Sequence, residues 1–372
     1  MDPVTHCLTG ACLARSGFRR KTAYATAAMV LAAEAPDLDT LWSIRGPVAL
    51  LAHHRGILHS MIAAPFMALA MVGVFWLWNR LRAASKSKTA ARKKSTPWVA
   101  PHWGWLWFGC FIADLSHLLL DYTNSYGLRP FLPWNGHWFA ASIISIFDPY
   151  IFLALLVALL LPALLRLTDH EIGDRRPRWR GQISAILALS FMVFYWGLRT
   201  AEHARALGLL RSNNGLPVAV LRVAAEPDML NPFVWTGLLA TNTGDQIARV
   251  STLNDQVNLL GPTLNTPAVT RAVIAAKDSS LGRAYLDWSK WPWVEDMGEI
   301  PIPGQAPPPT GARWHAVHFS DLRYADLDGT VGINAGEADP GRSPLSGWAY
   351  VSLPAQGAGK VEAIFLDGRR QP

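Results

Sequence analysis

Residues 57–78 read ILHSMIAAPFMALAMVGVFWLW, a run of 22 residues without Lys, Arg, Asp or Glu. A helix of this length measures about 33 Å, which matches a bilayer hydrocarbon core of about 30 Å. Other apolar helix candidates are residues 3–14, 22–35, 103–120, 148–165 and 182–198. The sequence therefore predicts an α-helical integral membrane domain over residues 1–200, with five or six membrane-embedded helices.

The composition of the chain agrees with a membrane protein. Of 372 residues, 51% are hydrophobic and only 16% are charged, whereas soluble proteins carry about 25% charged residues. This deficit excludes an ordinary soluble enzyme and a disordered chain. Residues 1–200 hold 20 Lys and Arg against 10 Asp and Glu, while residues 201–372 hold 14 against 17. The excess positive charge lies in short clusters between apolar runs, so we expect no nucleic-acid partner.

Those basic clusters predict the orientation. Lys and Arg are enriched in cytoplasmic loops, and alternating spans then leave residues 1–5, 36–56, 121–147 and everything after 199 on the outer side. The N-terminus lacks the basic region of a signal peptide. We therefore expect a multi-pass protein of the inner (plasma) membrane. The three clusters are Arg15, Arg19, Arg20 and Lys21; Arg80, Arg82, Lys86, Lys88, Arg92, Lys93 and Lys94; and Arg166, Arg175, Arg176, Arg178 and Arg180.

The second half of the chain has a different character. Residues 199–212 resemble an amphipathic helix that leaves the membrane, and short β-like runs separated by Pro and Gly follow it. Residues 267–287 interrupt these runs with a helical pattern. We predict a small extracytoplasmic α+β domain with an antiparallel sheet over residues 201–372. The three cysteines show no CxxC spacing and predict no disulfide framework.

One apolar segment carries side chains that bind metals. In DLSHLLLD (114–121), Asp114, His117 and Asp121 are spaced i, i+3 and i+7 and share one helical face. An ionised Asp within a span costs about 2.5–3.5 kcal/mol. A metal ion offsets this cost because it neutralises carboxylates and binds neutral imidazole. The alternative is a structural hydrogen bond or salt bridge between helices.

Three other motifs place metal-ligand side chains on the predicted outer side. PDLD (36–39) offers two carboxylates for a metal or, alternatively, a helix cap. HHRGILHS (53–60) offers imidazoles around a turn, but His and Arg are also common at headgroup depth. Taken alone, His6 is expected to be a histidine on a helix face whose hydrogen bonds are made locally. Small neighbours such as Gly10, however, allow close helix packing that would bring His6 near the other metal-ligand side chains.

Taken in order, these motifs resemble the YdjM-type family of inner-membrane metal-dependent hydrolases, some of them LexA-regulated. The resemblance covers roughly residues 1–200 and departs at Leu58, where Thr is common. It implies six metal ligands: His6, Asp37, His54, His59, His117 and Asp121. The matching residues are Thr5, His6, Gly10, Pro36, Asp37, Asp39, His54, Arg55, Gly56, His59, Ser60, His117, Asp121 and Gly127.

The resulting hypothesis is a membrane metallohydrolase with its site at the outer membrane–water interface. We expect one or two divalent ions, with zinc preferred, and a lipid-linked or small-molecule substrate such as a lipid or phosphoester. Asp39 or Asp114 is expected to orient ligands or to act as a base, and Arg55 to hold an anionic substrate oxygen or a headgroup. The alternatives are transport of protons or divalent metal ions and a non-catalytic membrane scaffold.

Overall fold

The computed structural model describes residues 1–85, 99–172, 180–212, 219–305, 313–324, 345–354 and 357–372. Two groups of basic residues that contributed to the predicted orientation lie outside the described residues: those within Lys86–Lys94 and those within Arg175–Arg178. The chain divides into two compact units. We call Met1–Leu38, Arg55–Ala201 and Pro227–Pro232 the helical unit, and Asp39–His54, Glu202–Glu226 and Phe233–Pro372 the sheet unit.

Helices make up most of the first half of the chain. They are α1 (Pro3–Ser16), α2 (Ala25–Glu34), α3 (Pro47–His53), α4 (Ala63–Ser85), α5 (Trp103–Thr123), α6 (Pro149–Ile172) and α7 (Arg180–Ser212). Short 3-10 helices cover Phe18–Arg20, Ala35–Arg45 and Ile57–His59. Helix α7 is continuous and joins the predicted span 182–198 to the predicted amphipathic segment 199–212, because no Pro interrupts it.

Within the described ranges, three helical segments are long and apolar enough to cross a membrane: Ala63–Ala83, Trp103–Thr123 and Gly181–Ser212. Helix α1 has 14 residues and α2 has 10. At 1.5 Å per residue, these measure only about 21 Å and 15 Å, less than a bilayer core. The apolar part of α6, Pro149–Leu165, is also shorter. The count of five or six embedded helices therefore stays a prediction.

Helix α4 begins later than the predicted segment 57–78. Ile57–His59 forms a 3-10 turn, and the Ser60 hydroxyl accepts a hydrogen bond from the Ala63 backbone N–H at 3.2 Å. Such a cap satisfies a backbone donor that the first helical turn leaves free. The HRGILHS stretch is therefore a turn that precedes the helix. Many apolar side chains of α4 point outward, as expected for contact with lipid; Phe66 and Leu69 are examples.

Close packing of α1 on α2 organises the helical unit. A Cβ atom on Gly10 would lie 2.7 Å from the Met29 carbonyl oxygen and 3.0 Å from the Ala33 Cβ, so only glycine fits this crossing. Small residues at a crossing let two helix backbones approach each other. The core beside this crossing includes Met29, Ala33 and Leu106. Helix α5 therefore packs next to the same pair of helices.

The sheet unit contains two antiparallel sheets joined by helices. The first has the order β1 (Val220–Pro227), β2 (Val234–Thr241), β3 (Gly244–Ser251) and β4 (Gln256–Asn265). The second has the order β5 (Pro292–Asp296), β6 (Arg313–Asp321), β7 (Gly347–Leu353), β8 (Lys360–Leu366) and β9 (Arg369–Arg370). Helices α8 (Arg271–Lys277) and α9 (Ser280–Trp288) occupy most of the helical stretch predicted over 267–287.

Aromatic side chains fill the core of the sheet unit. Trp235 of β2 is fully buried and packs with Leu210, which belongs to the end of α7 within the same unit. A Cβ atom on Gly237 would lie 2.6 Å from a Leu210 methyl group, so glycine permits this close approach. In the second sheet, Tyr350 and Phe365 meet edge to face with ring centroids 5.7 Å apart. The prediction of an antiparallel α+β region is confirmed; its extracytoplasmic location stays a prediction.

Candidate metal centre

Four side chains of the helical unit converge on one point. They are Asp37 from the 3-10 segment after α2, His59 from the turn before α4, and His117 and Asp121 from α5. One ligand atom from each lies within 4.8 Å of the ligand atoms of the other three. The two histidines and Asp121 are buried, and the Asp37 side chain is 19% exposed. We call these four residues the metal cluster. Solvent reaches it on the Asp37 side.

The spacing of the ligand atoms suits a small tetrahedral ion. His59 Nε2 lies 3.3 Å from Asp37 Oδ1 and 3.6 Å from Asp121 Oδ2. His117 Nε2 lies 3.7 Å and 3.5 Å from the same two oxygens, and the two Nε2 atoms are 3.1 Å apart. A tetrahedron with zinc–ligand distances of 2.0–2.1 Å has edges of about 3.3–3.4 Å. The five measured edges scatter around this value.

The tautomer of His117 strengthens the case for a cation. Its Nδ1 lies 2.6 Å from the Ala33 carbonyl oxygen, which can only accept a hydrogen bond, so Nδ1 carries the proton. Neutral His117 then presents an Nε2 lone pair to the other three ligand atoms. An unprotonated Nε2 is the atom that a neutral imidazole offers to a metal ion. A hydrogen bond from the second ring nitrogen to a backbone carbonyl is also the usual arrangement of histidines that bind metals.

Asp121 is the most deeply embedded anion of the cluster. The Arg55 guanidinium lies 2.9 Å from its Oδ1, and the α-amino group of Met1 contacts the same carboxylate. Within the described part of the chain, Asp121 Oδ2 has no hydrogen-bond donor, and it faces the two histidines. A buried carboxylate oxygen without a donor is costly. This oxygen therefore fits the role of a metal ligand.

Arg55 is held by several groups and orients Asp121. Its guanidinium donates to Asn124 Oδ1 at 3.1 Å and to the Gly127 carbonyl at 2.9 Å, and it stacks 4.7 Å from the centre of the Tyr126 ring. Arg55 also has a backbone φ of +52°, a region that side-chain-bearing residues rarely adopt. The side chain is 6% exposed. Arg55 therefore holds the cluster's carboxylate rather than extending into solvent.

The turn after α5 is built around Asn124. Its Oδ1 accepts from the backbone N–H groups of Tyr126 and Gly127 at 2.9 Å and 3.2 Å, in addition to Arg55. Gly127 has a φ of +81°, and a Cβ atom there would lie 2.7 Å from the Phe139 carbonyl oxygen. Asn124 thus accepts a hydrogen bond from Arg55 through its side chain. Gly127, where a Cβ would not fit, accepts one through its backbone carbonyl.

The ionisation of Asp37 also suits a metal ligand. Burial raises the pKa of this carboxyl group, but its hydrogen bond to His59 and the neighbouring His117 and His59 rings outweigh burial and lower the pKa to about 2. Asp37 is therefore an anion at neutral pH. Asp37 belongs to the PDLD motif. This motif lies in the 3-10 helix Ala35–Arg45, which directly follows α2.

His6 and Asp114 lie beside the cluster but outside the group of four. The His6 ring stacks on the His117 ring with centroids 3.8 Å apart, and its Nε2 lies 3.5 Å from Asp121 Oδ1. Asp114 is 1% exposed on the face of α5 that carries His117, and among the described residues neither of its carboxylate oxygens has a hydrogen-bond donor. The roles predicted for both residues remain predictions.

Asp39 and His54 form a pair within the sheet unit. His54 Nδ1 lies 2.8 Å from Asp39 Oδ1, and the Asp39 side chain is buried. Both residues therefore lie outside the cluster of four. Metal binding by His54 and a catalytic role for Asp39 are untested predictions.

Sequence reasoning missed one group that supports the cluster. The Ala33 carbonyl orients His117, and no sequence motif marks a backbone carbonyl that accepts from a distant side chain. Asn124 was not missed: the sequence names it with Tyr126 and Gly127 as residues that shape the mouth of the site, and the order Asn-x-Tyr-Gly after a helix is a turn signal.

Comparisons with known proteins agree with a membrane assignment. The model of the family described as YdjM inner membrane protein matches residues 1–206. The uncharacterized protein YfhP of Bacillus subtilis (strain 168) is 25% identical over 132 residues, which is 36% of this chain and 35% of YfhP. The chain thus matches about a third of the length of this curated relative. No solved structure matches the chain.

Proposed function

The chain belongs to the YdjM inner membrane protein family, and we propose that it is a membrane-bound, metal-dependent hydrolase. The observation that supports this proposal is the convergence of Asp37, His59, His117 and Asp121, with ligand atoms at tetrahedral spacing. We propose these four as a single-ion centre and expect zinc, because two imidazoles and two carboxylates are ligands that zinc accepts. When bound, such an ion supplies Lewis acidity that activates water and polarises the bond to be cleaved.

The protein's own groups prepare this centre. The Ala33 carbonyl keeps the lone pair of His117 Nε2 directed at the ion, and Arg55 prevents Asp121 from rotating away. Preorganised ligands need no rearrangement when the ion binds. The partly exposed Asp37 offers a substrate an approach. Asp114, buried one helical turn before His117, is the candidate to accept a proton or to orient the cluster.

The substrate class follows from where such a centre works. A buried cluster in a membrane unit favours a lipid or a lipid-linked molecule, and we propose a phosphoester as the bond that water activated by the ion would cleave. We propose that the site acts at the outer membrane–water interface, with the sheet unit extracytoplasmic, as the basic clusters predict. Metal binding by His6 and His54, which the sequence also predicts, is not required for this single-ion centre.

The first test is metal content. The detergent-purified protein is analysed for bound metals beside His117→Ala and Asp121→Asn, with His137→Ala as the matched control because His137 is exposed and lies outside the cluster. We expect about one equivalent of zinc in the parent and in the control, and loss in both cluster variants without loss of folding. A parent that binds no metal after reconstitution contradicts the proposal.

The second test is hydrolysis. The same four proteins are incubated with p-nitrophenyl phosphate in detergent and with phosphatidylglycerol vesicles that contain the reconstituted protein. We expect phosphoester cleavage in the parent and control that disappears with the metal. Metal binding without cleavage of either phosphoester contradicts the substrate class and retains the metal centre.

Transport of protons or divalent metal ions is the second candidate. It is favoured by Asp114, a buried carboxyl group inside the candidate span Trp103–Thr123 without a donor among the described residues. Intramembrane carboxyl groups often mark ion pathways. Proteoliposomes loaded with a zinc-sensitive dye separate the two candidates. Zinc uptake that Asp114→Asn abolishes, without any hydrolysis, favours transport.

A further inference from the structure

Residues 39–54 link two parts of the metal cluster along the chain. Asp37 lies two residues before this segment, and His59 lies five residues after it. The segment itself belongs to the sheet unit, while both cluster residues belong to the helical unit. We call residues 39–54 the tether segment. Its conformation affects both ligands because it is covalently joined to each of them.

The two ends of the tether segment are joined to each other. Asp39 is its first residue and His54 its last, and their side chains are hydrogen bonded at 2.8 Å. The Asp39 carboxylate is 4% exposed, which shields this bond from water. The tether segment is therefore a closed loop. The two ends of the loop therefore lie next to each other.

The side chain of Gln371 anchors the far part of the tether segment. Its Oε1 accepts from the Val48 backbone N–H at 3.0 Å, and its Nε2 donates to the Arg45 carbonyl at 3.0 Å. The Gln371 backbone N–H donates to the Ile364 carbonyl of β8 at 2.9 Å. The anchor therefore connects the loop to a sheet.

Gly46 is the position that admits this anchor. Its φ is +105°, and a Cβ atom there would lie 2.5 Å from Gln371 Oε1. Any other residue at position 46 is strained in its backbone and overlaps the amide. Helix α3, which follows at once, packs on α9 and β8 and buries Val48 and Leu51. Both the glycine at position 46 and the packing of α3 therefore hold the tether segment against the sheet unit's other elements.

We propose that Gln371 is a positioning residue for the metal cluster. By fixing the tether segment on the sheet unit, it restricts the chain between Asp37 and His59 and so reduces the entropy lost when both ligands bind one ion. This inference rests on the proposed metal centre. It assigns the sheet unit a role in metal affinity, through Asp39, His54 and the loop they close.

The test uses Co²⁺ as a spectroscopic probe on the full-length protein in detergent. Gln371→Ala removes both anchoring hydrogen bonds. Gln371→Glu keeps the acceptor for Val48 and serves as the conservative variant. Gln256→Ala is the matched control, because Gln256 is an exposed glutamine of β4 in the same unit. Affinity is measured by titration, and ligand geometry by the visible d–d absorption of the bound Co²⁺.

We expect Gln371→Ala to weaken Co²⁺ binding by about 2- to 30-fold and to change the d–d spectrum. Gln371→Glu should recover part of the affinity, and Gln256→Ala should match the parent. Equal affinity and spectrum in Gln371→Ala and the parent overturn the inference while the metal centre stands. A parent that binds no Co²⁺ removes the metal centre and this inference with it.

A second variant covers the case in which Gln371→Ala fails to fold. In Gly46→Ala, the added methyl group pushes the Gln371 side-chain amide away from the tether segment, while residue 371 itself is unchanged. We expect it to weaken Co²⁺ binding in the same direction as Gln371→Ala. Parental affinity in a folded Gly46→Ala protein, as judged by near-UV circular dichroism, overturns the inference.

Discussion

Replacing Gly10 by alanine tests the helix crossing that supports the metal cluster. The added Cβ would lie 2.7 Å from the Met29 carbonyl oxygen, 3.0 Å from the Ala33 Cβ and 3.1 Å from the Val30 Cα. All three are backbone or Cβ atoms, so no flexible side chain can move aside. The helices must separate, and the Ala33 carbonyl that orients His117 moves with α2.

Two opposed contributions determine how much Gly10→Ala changes the free energy of unfolding. Overpacking costs about 1–3 kcal/mol, while alanine gains about 1 kcal/mol over glycine in a helix. Gly73→Ala in α4 is the matched control, because no atom lies within 4 Å of its added Cβ and only the helical gain applies. The difference between the two variants therefore isolates the overpacking cost of about 1–3 kcal/mol.

Thermal unfolding of the two variants in the same detergent, followed by tryptophan fluorescence at one scan rate, measures this difference. Since 1 kcal/mol corresponds to roughly 2–4 °C for a unit of this size, Gly10→Ala should melt roughly 2–12 °C below Gly73→Ala. It should also bind zinc more weakly. Equal melting temperatures, or a more stable Gly10→Ala, refute the close crossing of α1 and α2.

Three further outcomes are expected. Asp321→Ala removes the carboxylate that lies 2.7 Å from the buried Arg323 guanidinium and should cost about 3–5 kcal/mol in urea unfolding; the exposed Asp255→Asn, which tolerates the local φ of +53°, should cost under about 1 kcal/mol. Burial lowers the pKa of His318 to about 4, so the unfolded chain binds more protons below pH 6.5. About 3 kcal/mol of stability should disappear between pH 6.5 and 4, and a pH-independent urea midpoint contradicts this. Arg55→Lys should weaken zinc binding about tenfold; unchanged affinity contradicts its role in holding the cluster.

Much of the fold is readable from the sequence because local patterns determine it. The apolar segment 103–120 became α5, and Asp114, His117 and Asp121 are all buried on one face, as their spacing predicts. Asp148 caps α6 with its carboxylate, as a carboxylate before a helix should. Helix length, polarity and capping depend on neighbouring residues.

Other features were not readable because they depend on distant contacts. The start of α4 at Ala63 follows from the turn that carries His59, which a hydropathy scan cannot detect. The C-terminal region divides into two sheets, whereas β-like runs alone do not reveal which strands pair. The closure of residues 39–54 by Asp39 and His54 joins side chains 15 positions apart.

The sequence by itself determined that this is a membrane protein of the YdjM family and which residue types are available to bind a metal, because composition, periodicity and motif order are local properties. Only the tertiary structure decided which ligand atoms meet. Asp37, His59 and His117 come from three different elements, and their 3.1–3.7 Å spacing depends on how tightly α1, α2 and α5 pack. Packing of that kind is set by contacts such as Gly10 against Met29, which no single segment encodes.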